Sequence, residues 1–552
     1  MVKKFTPEGV ADINYEQYER LEALQSNISN VFKGHGYRQI QTPTFEYFDL
    51  FSGIDMDIHT DQMYKIVDTG GKMMVLRPDA TIPVARMVAT NYKMLKNDLK
   101  FMYFTNVYRS SDYHAGEKRE FAQAGIELFG NPSADADAQV INIAIEAVKT
   151  AGFPELKVEL GDSNYFTGLI EEIDAGLGAG GLALLDKSTK AKLKDLIESK
   201  NIPGLKNLTD TLEVDDGLKE IILRLPMMYG DMDSILLEAR ETALNDKMRS
   251  AVENIGMIYD KVRDRKYISA DMGLVNQPDY YSGIIFKIYI NNTGVTVGSG
   301  GRYDGLMEHF GKNIPATGFG LNVDILFDAL EKEAESDKDG NDILTIALGK
   351  GRLAETTIEK LAAIGVEFPE YSKKSRKLIF DDSTGKVRII LVKAVDVGIY
   401  VEKGACDIGV IGKDTLMESK SDVYETLDLG YGRCIFAVAG LKGFEFDKQK
   451  KIRVATKYPN VAKAYFESVG RSIEIIKING SVELAPIVGL SDIIVDLVET
   501  GATLRENGLE VVEKIDDISA RFIVNRVSAK TKQSAVGEIM EALREDIRNE
   551  DN

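Results

Sequence analysis

Ile478-Asn479-Gly480-Ser481-Val482-Glu483-Leu484-Ala485-Pro486-Ile487-Val488-Gly489-Leu490-Ser491-Asp492-Ile493-Ile494-Val495-Asp496-Leu497-Val498-Glu499-Thr500-Gly501-Ala502-Thr503-Leu504-Arg505-Glu506-Asn507-Gly508-Leu509 is the stretch that decides how this chain reads. Ile493 to Val498 is a short apolar run rich in Ile and Val, the composition of a buried strand. Glu499 to Thr503 follows, and Leu504 to Asn507 can begin a helix. A strand leading through Thr-Gly-x-Thr into a helix gathers backbone N–H groups and two hydroxyls around one point. The helix dipole adds to them, so the turn suits a phosphate. Asp496 lies near the end of the apolar strand, where a carboxylate needs a reason to be. Hydrogen bonds to the paired hydroxyls of a ribose would supply one. An ordinary strand–turn–helix with a capping threonine is the competing reading.

The acid followed by Thr-Gly-x-Thr resembles the phosphoribosyl-diphosphate loop of phosphoribosyltransferases. With Gly480 to Pro486 just ahead of it, the stretch is similar to ATP phosphoribosyltransferase, which makes the first committed intermediate of histidine biosynthesis.

Working outward, 552 residues suggest three or four domains at roughly 150 residues each. An apolar fraction of 44% with 28% charged residues describes a globular chain with ample core. The net charge of −19 speaks against general nucleic-acid or anionic-membrane binding. Any polyanionic substrate must then be held by local Lys and Arg, helix ends and a metal ion. Cys406 and Cys434 lack Cys-x-x-Cys spacing, so neither a disulfide framework nor a zinc site is expected. Residues 1–7 have no apolar export core and no run is long enough to span a bilayer, so the expected location is cytoplasmic, without membrane contact. His35, His59, His114 and His309 all precede Phe310, so chemistry in the C-terminal part is expected to proceed without a histidine base.

Residues 6 to about 130 read as a helix followed by strands. Tyr15 to Phe32 has helical spacing, and Tyr37 to Pro43 leaves it extended. Leu76 to Arg86 comes next, and Tyr103 to Arg109 and Arg119 to Glu127 look like antiparallel strands around a polar loop. Asp279-Tyr280-Tyr281-Ser282-Gly283 and Gly300-Gly301-Arg302-Tyr303-Asp304-Gly305-Leu306 stand far downstream. Together these resemble the catalytic domain of histidyl-tRNA synthetase, a class II antiparallel sheet flanked by helices. The resemblance covers about 5–330, with a helical insertion at about 171–265.

Three departures from that pattern matter. Leu274 to Pro278 lacks the basic residue expected before Asp-Tyr-Tyr, Ser111 stands where an acid should follow Arg109, and no anticodon-binding domain follows Leu330. Losing such groups removes the electrostatics that adenylation needs. The resemblance is therefore to the synthetase-like regulatory subunit of ATP phosphoribosyltransferase, a synthetase fold kept as a histidine sensor without tRNA charging. It implies a histidine site at Arg109, Glu127, Tyr280, Tyr281, Arg302 and Tyr303. The tyrosines as plain sheet core is the alternative.

Residues 336–341 read as a charged linker. From Asp342 strands and helices alternate, which argues for α/β architecture. Ile343 to Leu348 is a strand, and Gly349-Lys350-Gly351-Arg352-Leu353 turns it into the helix Ala354 to Ile364. Two cations on a glycine-containing turn suit an anion. With Ser375 to Phe380, Asp407 to Asp414 and Ala455 to Ala462, this turn resembles blocks of the short-form catalytic subunit of ATP phosphoribosyltransferase over roughly 342–549. That implies two α/β lobes of the periplasmic-binding-protein type (type II) with the active site in the cleft. Against that pattern, Gly349 stands where relatives carry Pro or Ser, and Lys393 where many carry Arg, whose bidentate fork Lys lacks. The chain reads as a fusion of two subunits that are ordinarily separate: a multi-domain α+β and α/β protein, 1–335 regulatory and 342–552 catalytic.

The reaction implied is attack by N1 of the ATP adenine on C1 of 5-phosphoribosyl diphosphate, with release of pyrophosphate. Thr500, Gly501, Ala502 and Thr503 would cradle the 5′-phosphate beside Glu499. Asp496 and Glu483 would hold ribose hydroxyls or magnesium-bound water. Lys350, Gly351, Arg352, Arg376, Lys393 and Lys457 would meet the phosphates of ATP and the departing pyrophosphate. Mg2+ is expected, carried mainly by substrate phosphates. Histidine is the expected inhibitor, and a homo-oligomer the expected assembly. A small-anion binding protein, or a histidine sensor without transferase activity, remains the alternative.

Overall fold

A nine-stranded sheet organises the N-terminal half. In spatial order its strands are Arg38–Gln39, Leu99–Tyr108, Glu120–Phe129, Ala316–Asn322, Gly298–Arg302, Ile284–Ile290, Leu156–Asp162, Ile268–Asp271 and Tyr229–Gly230. All neighbours are antiparallel except the pairs Arg38–Gln39 with Leu99–Tyr108 and Leu156–Asp162 with Ile268–Asp271. The computed structural model describes residues 5–53, 60–92, 97–110, 118–181, 184–275, 280–291, 293–335, 343–446 and 451–551. His59, Ser111, His114, the stretch 276–279 and the linker 336–341 lie outside them.

The expected strands Tyr103 to Arg109 and Arg119 to Glu127 form one antiparallel pair, with Tyr103 opposite Gly125. Helix Tyr15–Gly34 opens on a capping box between Asn14 and Gln17 and turns Leu21, Leu24, Ile28 and Phe32 inward. Helix Ala134–Thr150, capped by Ser133, packs beside it over Ile126, Leu160 and Phe286. The stretch 171–265 is mostly helical, with the short strand Tyr229–Gly230 inside it; its helices begin at Ser163 and do not build a core of their own. Leu193, Ile197, Leu205, Ile222 and Ile258 join the sheet's hydrophobic cluster. One core is enough because each helix has a single apolar stripe, which the sheet and its neighbours cover.

The chain divides into compact units Met1–Lys338 and Asp339–Asn552. The second unit holds two sheets. The first runs Ile379–Asp381, Val387–Val392, Leu344–Gly349, Ile408–Gly412, Ala520–Val524, Tyr424–Asp428. The second runs Ile473–Lys477, Ile452–Thr456, Ile493–Val498, Cys434–Leu441, Leu509–Ile518. Each has three neighbouring parallel strands rich in Val and Ile, the inner ones largely buried on both faces. Ala347, Val397 and Ile523 fill the first core; Phe436, Val454 and Val495 fill the second. The chain crosses between the sheets twice, from Asp428 to Cys434 and from Ile518 to Ala520. The crossings are tied by Leu429 N–H to Ala520 O (2.9 Å), Ala520 N–H to Tyr431 O (2.9 Å) and Ser519 Oγ to Asp428 Oδ1 (2.7 Å).

Asp407, quoted above within a sequence block, is a structural hub. Its buried carboxylate accepts from Thr345 N (2.8 Å), Thr345 Oγ1 (2.9 Å), Ser528 Oγ (2.7 Å) and Lys532 Nζ (2.9 Å). It thereby fastens the segment leading into helix Gln533–Asp551 to the start of two strands. Asp407→Asn leaves the Lys532 charge without its partner and should lower stability by about 2–4 kcal/mol. A urea midpoint equal to the parent's would remove Asp407 from that role.

Candidate functional site

Most candidate residues of the second unit follow the carboxyl end of a strand, while Asp496 lies within Ile493–Val498 and Arg376 precedes Ile379–Asp381. Lys350 and Arg352 follow Leu344–Gly349, Lys393 follows Val387–Val392, Lys457 follows Ile452–Thr456, and Thr500 to Thr503 follow Ile493–Val498. Ligand crevices in open α/β sheets form at these ends, where loops diverge. Lys350 N–H donates to Val392 O (2.9 Å), which sets Lys350 beside Lys393. The register pairing Ile379 with Ile390 continues through Leu391 N–H to Leu378 O (2.7 Å) and carries exposed Arg376 toward Lys393. Gly349 has a packing reason: a Cβ there would meet the Ala394 backbone at 2.8 Å.

Between the two sheets lies a cleft of about 640 Å³, walled by Arg352, Asp414, Tyr431, Arg433, Cys434 and Glu499 among others. Arg352 and Glu499 join across it at 3.1 Å. Of the residues expected from sequence, these two line the cavity itself. Asp496 sits one residue from its wall at Leu497. Burial pushes the Asp496 carboxyl above the usual aspartate range. The Leu497 N–H pulls it back, Glu483 and Asp414 push it higher, and Lys457 lowers it. Those influences bring Asp496, Glu483, Asp414 and Lys457 into one electrostatic neighbourhood.

The phosphate-type turn differs from expectation in one respect. Its helix is only Ala502–Glu506, so its dipole is that of little more than one turn. The turn depends instead on Gly501, which takes the left-handed conformation (φ +69°) open to glycine.

Sequence reasoning passed over Asp414, Tyr431 and Arg433. Asp414 accepts from the Tyr458 hydroxyl (3.1 Å), and the Tyr431 hydroxyl meets Thr357 Oγ1 (2.7 Å). Gly430-Tyr431-Gly432-Arg433, with both glycines at positive φ, was the available signal.

In the first unit Glu127 is fully buried on a glycine-paved stretch of sheet. It lies opposite Gly318, and Gly301 and Gly320 continue the row. A Cβ at Gly318 would lie on the Glu127 carboxylate, and one at Gly301 would meet the Tyr281 ring at 2.9 Å, so bare backbone makes the floor. Tyr303 donates its hydroxyl to Glu127 Oε2. Tyr280 stacks edge-on to Tyr303 (6.0 Å between ring centres) and beside Tyr281 (5.1 Å). Glu127 Oε1 and Gln123 Oε1 have no hydrogen-bond partner among the described residues. Such orphans in a buried pocket mark where a polar ligand would bind. Arg109 donates Nε–H to Pro78 O (2.9 Å) and lowers the neighbouring Asp79 carboxyl, which burial raises.

Arg302 does not join this group. Its guanidinium grips Asp137 with two bonds (2.9 and 3.1 Å) and reaches Asn131 O (3.2 Å) and Asp304 (3.3 Å). A buried Arg forked on a carboxylate is committed to holding the start of helix Ala134–Thr150. The expected ligand role of Arg302 is therefore corrected to a structural one.

Burial pushes the Glu127 carboxyl up to about 8, opposed by the Tyr303 and Thr81 hydroxyls and aided by Asp79. The unfolded group titrates near 4.5. Between these values the folded chain holds one more proton than the unfolded one. Stability is therefore complete below about 4.5 and falls as pH rises toward about 8, by up to about 1.4 kcal/mol per unit. Glu127→Gln should flatten that slope in urea midpoints measured from pH 5 to 8. Parallel profiles for parent and variant would contradict it.

Comparison with known proteins adds the context. The histidyl-tRNA synthetase family matches residues 9–326 and the ATP phosphoribosyltransferase family residues 393–545. The ATP phosphoribosyltransferase regulatory subunit of Ruminiclostridium cellulolyticum is 34% identical over 333 residues, 60% of this chain and 77% of that protein. The ATP phosphoribosyltransferase of Oceanobacillus iheyensis is 52% identical over 200 residues, 36% of this chain and 96% of that protein. The crystal structure of an ATP phosphoribosyltransferase regulatory subunit/histidyl-tRNA synthetase from Bacillus halodurans C superposes with a TM-score of 0.54. It is 28% identical and covers 71% of this chain and 93% of that one.

The first unit is thus a class II synthetase-like domain, and the second an enzyme domain with mixed α/β sheets. The chain belongs to the ATP phosphoribosyltransferase family, joining a domain like its regulatory subunit to a domain like the enzyme.

Proposed function

We propose that this chain transfers the 5-phosphoribosyl group of 5-phosphoribosyl diphosphate to N1 of ATP, the opening step of histidine biosynthesis, under feedback by histidine bound in its first unit. One observation carries the transferase reading: a half-buried aspartate, Asp496, near the end of a central strand, within the electrostatic influence of Glu483 and Lys457 and four residues before the Thr500–Thr503 turn. The two sheets with their double crossing support a two-lobed arrangement of the periplasmic-binding-protein type, with substrates between the lobes.

The adenine N1 lone pair forms the new bond to C1 as the C1–O bond to pyrophosphate breaks. N1 is already nucleophilic, so positioning and charge neutralisation are the protein's tasks. Asp496 and Glu483 hold the ribose hydroxyls, and the Thr500–Thr503 turn holds the 5′-phosphate. Lys350, Arg352, Arg376 and Lys393 neutralise the departing pyrophosphate, with Arg352 exchanging Glu499 for phosphate oxygens. Among the described residues no three His, Cys, Asp or Glu side chains gather as a metal cage. The carboxylates of Asp496 and Glu483 would help hold Mg2+ brought with the substrate phosphates, which would supply further charge neutralisation.

In the first unit, Glu127 Oε1 accepts from the imidazole N–H of histidine, and Tyr280, Tyr281 and Tyr303 enclose the ring. This unit charges no tRNA. No helix among the described residues is long and apolar enough to cross a membrane, in keeping with a cytoplasmic enzyme, and a homo-oligomer is the assembly we favour.

One assay separates the readings. Pyrophosphate should appear with ATP and 5-phosphoribosyl diphosphate, and no histidine-dependent ATP–pyrophosphate exchange should occur. Exchange that needs histidine would restore a working synthetase. Absence of both activities would favour a binding protein.

A further inference from the structure

The Thr500–Thr503 turn carries no formal charge of its own, yet the group assigned to it is a dianion. Glu499, which leads into the turn, is paired with Arg352, and Glu506 lies just beyond. The short helix contributes little field. A cation beside the turn would supply charge that its N–H groups and hydroxyls lack, and the backbone leaves a position for one. Arg505 folds back along its own turn, donating from one terminal nitrogen to Thr500 O at 3.1 Å. Its other terminal nitrogen lies 2.9 Å from where a Gly501 Cβ would stand. Glycine at 501 therefore serves two ends: it permits the left-handed backbone, and it clears the space that the guanidinium occupies. Among the described residues no carboxylate pairs with Arg505. A guanidinium has five N–H donors, and the Thr500 carbonyl takes one of them.

We infer that Arg505 is a phosphate-binding and loop-positioning residue of the 5-phosphoribosyl diphosphate site, bracing the Thr500 carbonyl and presenting its remaining donors to the 5′-phosphate. This rests on the transferase reading and adds to it a residue that neither the fold nor the charge of the turn supplied. Arg505 acts on the phosphoribosyl substrate and not on ATP, so its loss divides the two Michaelis constants.

The test uses the full chain with Arg505→Gln, which keeps a donor for Thr500 O without the charge, and Arg505→Lys, which keeps the charge without the fork. Arg505→Gln should raise KM for 5-phosphoribosyl diphosphate about tenfold or more and leave KM for ATP within about twofold. Arg505→Lys should fall between Gln and the parent. Ribose 5-phosphate should raise the melting temperature of the parent and do so far less for Arg505→Gln. An unchanged KM and thermal shift in Arg505→Gln would overturn the inference. So would equal rises in both Michaelis constants, which mark a role in folding alone, or Lys as impaired as Gln, which shows that the charge has no effect on the phosphate. A parent chain stabilised by ribose 5-phosphate that releases no pyrophosphate would defeat the transferase reading while leaving the Arg505 assignment standing.

Discussion

Asp496→Asn is expected to lower kcat/KM by about 10²- to 10³-fold, or about 2–4 kcal/mol, while the fold persists. The carboxylate stands half-buried at the end of the central strand of its sheet, opposite Ala437 in register, so an amide of the same shape fits the same space. What is lost is charge where the ribose hydroxyls and the ribosyl cation character of the transition state need it. Steady-state pyrophosphate release together with circular dichroism checks both halves of the statement. Turnover near the parent's would detach Asp496 from the reaction. The raised Asp496 carboxyl adds a sign that can be read independently. It must be ionised to act, so activity should fall with acidity already above the ordinary aspartate range, and the Asn variant should lose that limb.

Glu127→Gln is expected to weaken histidine inhibition about 10- to 100-fold, with turnover in the absence of histidine within about twofold of the parent. Glu127 Oε1 is a buried acceptor, and the cationic imidazole of a bound histidine would lower the raised carboxyl and pair with it, a charge-assisted hydrogen bond worth about 1.5–3 kcal/mol. Histidine titrations of pyrophosphate release measure it. A chain beginning at Asp342 should likewise lose the response, whatever activity it retains. Inhibition of equal strength in the truncated and full chains would place the effector site in the catalytic half. Such coupling is reciprocal, so 5-phosphoribosyl diphosphate or ATP must change histidine affinity by the same factor, typically about 5- to 150-fold.

The amino-acid sequence alone determined whatever depends on neighbours along the chain. The alternation of apolar strands and helices after Asp342, the capped helix at Tyr15, and the Thr500–Thr503 turn behind Asp496 all follow from local periodicity and turn chemistry. Those forces act within a few residues, so they can be read without knowing the fold. Lys350 and the Thr500–Thr503 turn were legible for the same reason, since each follows directly from a strand that could be recognised, whereas Lys393 came from the family resemblance.

Tertiary structure decided what depends on partners distant in sequence. Arg302 looked like part of an amino-acid pocket until Asp137, far upstream, was found holding its guanidinium. Glu127 is an ordinary acid in sequence, and only burial on a glycine floor beneath three tyrosines lifts it to about 8. The cleft residues Asp414, Tyr431 and Arg433 come together because the chain crosses twice between two sheets, and no local pattern announces a crossing. Desolvation and pairing are set by what surrounds a side chain in space, and a one-dimensional sequence does not carry that quantity.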